Sequence, residues 1–141
     1  MFGEVWIASG QSNMEWELSK TRDPKDVISS SKNPRIRLFD VPKTPKQSPQ
    51  TELGDVKDIK NPAKNRTFGK WLECDPSTVP GFSAVGYYFG RALERDLGVP
   101  VGLINSSWGG THAERWTSKA TTNICNSITP VRRASSCIAT S

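Results

Sequence analysis

Histidine is nearly absent from this sequence: of 141 residues, His112 alone carries an imidazole. Chemistry that needs a positioned histidine base therefore has one candidate within the chain. Cysteine is also scarce. Cys74, Cys125 and Cys137 match no metal-site spacing, and their odd number argues against a closed disulfide framework, so unpaired thiols are expected. No run approaches the ~18 consecutive apolar residues of a membrane span, and no membrane partner is expected. The N-terminal "MFGEVWIASG" lacks a basic n-region and a long apolar stretch, so no signal peptide is read there. It starts almost inside its first apolar segment, which suggests missing upstream sequence as readily as a true start. No motif indicates a metal or an organic cofactor.

Acidic residues are missing from Thr117 onward, where Lys119, Arg132 and Arg133 add charge to the tail. Without these three the 19 basic residues become 16, against 14 acidic ones, so most of the net charge of +5 belongs to the tail. No basic stripe with interleaved aromatics remains, and no nucleic-acid partner is expected. An apolar content of 35% and a mean hydropathy of −0.53 describe a soluble, loop-rich chain, and its length suits one domain.

"EVWIA" (residues 4–8) is a short apolar run, expected as a strand buried on both faces. "RIRLFDV" (35–41) alternates Ile36 and Leu38 with Arg35 and Arg37 and reads as a half-exposed strand. Residues 42–68 read as a long surface loop. Ser83 opens a helix with an apolar stripe at Val85, Tyr88, Phe89, Ala92 and Leu93, which Gly98 and Pro100 end. Gly86 and Gly90, one turn apart, suggest close approach of that helix to a sheet. "PVGLINSSW" (100–108) is the next strand. This order predicts an α/β three-layer domain. The last 25 residues contain ten Ser or Thr and no period, and 118–141 reads as a disordered or non-native tail.

Two stretches carry chemistry. In "SGQSNMEW" Ser12 follows the first strand, at the edge where α/β proteins bind ligands. Ser12 and Glu15 also fit a capping box, so helix capping is the structural alternative. Gly10 permits a tight approach, and Gln11 and Asn13 add amide donors. In "NSSWGGTHAERW" a strand again runs into glycines, Gly109 and Gly110, and "THAE" (111–114) forms a second capping-box pattern. A turn is the plain reading of the glycine pair; two such junctions on one sheet edge favour a site, where backbone N–H groups can stabilise an oxyanion. His112, at the start of an expected helix, reads mainly as an exposed residue, since a helix N-terminus disfavours an imidazolium.

"VWIASGQSNMEW" and "WLECDPSTVPGFSAVGYYFGRALERDLGVPVGLINSSWGGTHAERW", in that order, resemble the sialate O-acetylesterase family of SGNH (GDSL-like) hydrolases. The resemblance covers Phe2 to about Thr117. It implies a flavodoxin-like α/β/α fold with a parallel sheet, incomplete at the C-terminus, with residues 1–117 as the N-terminal part of an esterase domain. It also implies hydrolysis of O-acetyl esters on sugars, typically O-acetylated sialic acid, through an acyl-enzyme on Ser12. Gly109, or Gly110 in its place, would share the oxyanion hole with the Ser12 N–H. Gln11, Asn13, Trp16, Glu114 and Trp116 would line the site. The family's D-x-x-H and Q-G-E motifs do not occur in this sequence, so a truncated or inactive fragment is expected. The alternatives are an esterase for acetylxylan-type substrates, or a catalytically dead module that stacks sugars on Trp16, Trp71, Trp108 and Trp116. Members of such a family are often exported, which leaves localisation open.

Overall fold

The computed structural model describes residues 2–45, 51–53, 60–61, 66–118 and 121. The chain divides into two units, Met1–Gly110 and Thr111–Ser141. Most of the expected tail, with Cys125 and Cys137, lies outside the described residues, as does much of the 42–68 loop.

In the first unit the order is β1 (Glu4–Gly10), α1 (Ser12–Glu15), a 3-10 turn (Leu18–Lys20), α2 (Pro24–Ser29) and β2 (Asn33–Asp40). A two-residue ribbon follows, β3 (Lys60–Asn61) against β4 (Arg66–Thr67), then β5 (Trp71–Cys74), a 3-10 turn (Val79–Gly81), α3 (Ala84–Leu97) and β6 (Val101–Ser107). The main sheet has the order β1-β6-β2-β5. β6 runs parallel to both β1 and β2, and β5 adds an antiparallel edge. This is the expected α/β class, with the three anticipated strands adjacent. The sheet is mostly parallel as expected, and β5 adds an antiparallel strand that was not anticipated; four residues after a Pro/Lys-rich loop carry too little period to be recognised.

The β2 alternation holds: Ile36, Leu38 and Asp40 are buried between more exposed neighbours. The core joins Ile36 and Leu38 to Val101 and Leu103 of β6, Phe82 and Tyr87 at the α3 end, and Leu18 and Val79 from the 3-10 turns. Full burial of each large apolar side chain contributes about 1.5–3 kcal/mol.

Two expectations are corrected. β1 forms, but it is not buried on both faces: Val5 is 61% and Ile7 67% exposed, on the face opposite the one through which Trp6 and Ala8 meet α3. In α3 the buried residues are Ala84, Gly86, Tyr87 and Gly90, whereas Val85 and Phe89 remain exposed. The glycines remove side chains from the helix face nearest the sheet, as their spacing suggests, and of the expected stripe Tyr88 and Leu93 pack against the core while Val85 and Phe89 stay exposed. A Cβ at Gly90 would lie 2.5 and 2.7 Å from the Leu103 methyls, and one at Gly86 would lie 3.4 Å from Ala8 Cβ. Phe89 packs edge-on against Trp6 instead, with ring centroids 5.1 Å apart.

The α3 termini match expectation. The Ser83 hydroxyl accepts the Gly86 N–H at 3.0 Å, and Gly98 takes the left-handed C-cap conformation at φ 65°.

Cys74 is buried, and its thiol donates to the Ser31 carbonyl at 3.1 Å. Burial, assisted by the Asp75 carboxylate, pushes the thiol up to about 12. The unfolded thiol ionises near 9.0, so the folded state loses stability as pH rises from there towards 12.

Two outcomes follow from this packing. Gly90→Ala is expected to lower the melting temperature, since overpacking Leu103 costs about 1–3 kcal/mol against a helix-propensity gain of at most ~1 kcal/mol; an unchanged or raised Tm contradicts the close contact. Alkylation at pH 8 followed by peptide mapping is expected to leave Cys74 unmodified until denaturant is added. Labelling of Cys74 in the native protein contradicts its burial.

Candidate active site

The site starts at two strand ends. The β1–β6 register runs from Glu4↔Val101 to Gly10↔Ser107, and the Trp108 N–H donates to the Gly10 carbonyl at 2.8 Å. Both chains therefore leave the sheet at the same edge. Gly10 turns the first chain with φ 129°, a conformation that residues with a Cβ rarely adopt. Gln11 is the N-cap residue of α1, and its side chain makes no capping bond. Ser12 is already the first helical residue and is exposed.

The Ser12–Glu15 capping box does not form. Glu15 instead crosses to the second junction, where one carboxylate oxygen accepts the Gly109 N–H and the other pairs with the Lys43 ammonium. A Cβ at Gly109 would stand 2.7 Å from Glu15 Oε2 and 3.6 Å from Ser12 Cα, so glycine alone leaves space for this contact. Gly110 has φ 76° and nothing within 4 Å of a Cβ, which marks it as the turn residue.

Ser12, Glu15, Trp16, Glu17, Lys20 and Gly109 line a cleft of about 230 Å³. Trp16 is 53% exposed, and its indole N–H donates to the Lys20 carbonyl at 3.1 Å, which fixes the ring orientation. Lys20 pairs with Glu17 at 3.2 Å. Gln11 and Asn13 are exposed and lie outside this lining.

Two anchors hold the cleft in place. The Leu18 N–H donates to the Phe82 carbonyl at 3.0 Å, and the Ala84 N–H donates to the Trp16 carbonyl at 2.8 Å. These tie the segment after α1 to the start of α3. At the end of β6, Ser107 Oγ donates to Asn105 Oδ1 at 2.6 Å and Asn105 Nδ2 donates to Asp40 Oδ1 at 2.7 Å, all three residues being buried. A buried polar chain with its partners in place gives that strand end one position.

In the second unit the "THAE" capping box is likewise absent. His112 is the exposed N-cap residue of a 3-10 turn, Ala113–Trp116, without a side-chain cap bond. Thr111 Oγ1 accepts the Trp116 indole N–H at 2.8 Å, and Glu114 is exposed.

Sequence reasoning placed Ser12, Trp16 and Gly109 among the site residues, and the structure brings these three together. It gave Glu15 only a capping role and missed Lys43. A signal for Glu15 was present, since a residue three positions after Ser12 shares its helical face. Lys43, in an aperiodic segment, had none.

The family model described as "Carbohydrate esterase, sialic acid-specific acetylesterase" matches residues 3–139. The sialate O-acetylesterase of Mus musculus is 33% identical over 126 residues, covering 89% of this chain and 22% of its own length. That of Homo sapiens is 33% identical over 131 residues, covering 89% of this chain and 23% of its own. A carbohydrate acetylesterase from Xanthomonas citri, of known crystal structure, superimposes with a TM-score of 0.73 at 35% identity, over 86% of this chain and 25% of that one. The chain thus spans less than a quarter of the length of these curated relatives. The extent of the family match and the shared fold establish that this chain belongs to the carbohydrate esterase family of sialic acid-specific acetylesterases.

Proposed function

We propose that this chain carries the nucleophile and one oxyanion donor of a carbohydrate O-acetylesterase, with Ser12 and the Gly109 N–H in those roles and O-acetylated sialic acid as the substrate class. The observation that supports it best is the meeting of Ser12 and Gly109 in one cleft, from positions nearly a hundred residues apart. Ser12 Oγ attacks the acetyl carbonyl carbon, and the negative charge that develops on the carbonyl oxygen is held by backbone N–H groups. The bond to the sugar oxygen breaks, the sugar leaves as its alcohol, and water then releases acetate from Ser12. Gly109 suits the oxyanion role better than Gly110, because its N–H faces α1. Trp16 offers the sugar a half-exposed aromatic face beside Ser12.

A serine hydroxyl needs a base, and the D-x-x-H motif that supplies one in the family has no match in this sequence. On this reading the chain alone is a weak catalyst, since a hydrolase without its triad partners retains only ~10³–10⁴-fold over water.

Acetate release from O-acetylated sialic acid, with acetylxylan as the comparison substrate, is the test. A small residual rate lost in Ser12→Ala and unchanged in His112→Ala is expected. A fast rate lost in His112→Ala makes His112 the base, and a rate indifferent to Ser12→Ala contradicts the assignment of Ser12. Trp16→Ala is expected to weaken sialoside binding about three- to tenfold, read by ligand-observed NMR. Unchanged binding removes Trp16 from the sugar site.

A further inference from the structure

The Gly109 N–H, assigned above to the acyl oxygen, already holds an anion. The Glu15 carboxylate sits on it, inside the cleft that Ser12 lines. The fit is close on the glycine side, where a Cβ would stand only 2.7 Å from Glu15 Oε2. The carboxylate has a second hold: Lys43 pairs with its other oxygen, both side chains being partly buried. A charge-assisted bond to a backbone N–H is strong, and one N–H cannot serve two anions equally.

We propose that Glu15 is an internal occupant of the oxyanion position, which an acetyl carbonyl or product acetate displaces while Lys43 retains the Glu15 carboxylate. The seat thus takes a small carboxylate or an acyl oxygen, and Glu15 sets the threshold for its entry. This rests on reading Gly109 as an oxyanion donor. It differs from a purely structural clamp in one respect: removing Glu15 opens a binding site for an external anion.

The test uses the ¹⁵N-labelled chain, with acetate as the probe and chloride as the ionic-strength control. In the wild-type protein acetate is expected to perturb the Gly109 amide resonance only at high concentration, because it must first displace Glu15. In Glu15→Ala the resonance shifts upfield as its acceptor is lost, and acetate then returns it downfield with an affinity at least about tenfold above wild type. Glu15→Gln, which keeps the shape and removes the charge, is expected to fall between the two and supports the test if Glu15→Ala does not fold. Equal acetate affinity in the wild-type protein and both variants overturns the proposal, as does a Gly109 amide that ignores acetate in all three. The titration needs no turnover. Repeating it in a Ser12→Ala background separates the two readings, since the seat survives there even if Ser12 is not the nucleophile.

Discussion

The parallel pairing of β1 with β6 is the constraint on which the rest of the site depends. Ser12 and Gly109 lie far apart in sequence, and nothing local brings them together. The register that ends at Gly10↔Ser107, extended by the Trp108 N–H to the Gly10 carbonyl, does so. A strand slip of one residue would invert every side chain of β6 and expose Val101 and Leu103. The apolar burial of those two residues under α3 therefore fixes the geometry at the far end of the strand. Core packing and site geometry share one cause.

Stability and function pull differently at the two ends of this pairing. Towards the core, the glycines of α3 allow helix and sheet to approach so closely that Leu103 fills the space a Gly90 side chain would need. At the sheet edge the chain accepts polar and charged groups instead. Asp40, Asn105 and Ser107 are buried as a hydrogen-bonded chain, and Glu15 holds Gly109 and Lys43 together. Buried polar groups cost free energy unless paired, and each of these contacts pairs them. They hold the two junctions at a spacing that apolar packing alone does not specify.

Much of this was legible in the sequence, for identifiable reasons. Residue alternation exposed β2, the Ser83 cap and the Gly98–Pro100 stop bounded α3, and small residues after apolar runs marked both junctions. The burial of β1 was misread because an apolar run reports a strand and not which of its faces a helix covers. The glycine pair marked the close face of α3, whereas the stripe of large residues was right for Tyr88 and Leu93 and misplaced Val85 and Phe89. Both capping boxes failed for a related reason: S-x-x-E and T-x-x-E describe one local option, and other partners won, distant ones for Glu15 and a neighbouring indole for Thr111. Glu15 found Gly109 and Lys43, and Thr111 found the Trp116 indole. Local patterns located the site residues but not their partners.

The central claim, that Ser12 and the Gly109 N–H face one reacting centre, is tested most directly with methylboronic acid. A boronic acid adds reversibly to a serine hydroxyl to give a tetrahedral anion, so it reports geometry without requiring turnover. The expected result is conversion of boron from trigonal to tetrahedral together with shifts of the Ser12 and Gly109 amides, all lost in Ser12→Ala. A boron that stays trigonal, or an adduct that moves Ser12 and leaves Gly109 untouched, contradicts the shared centre.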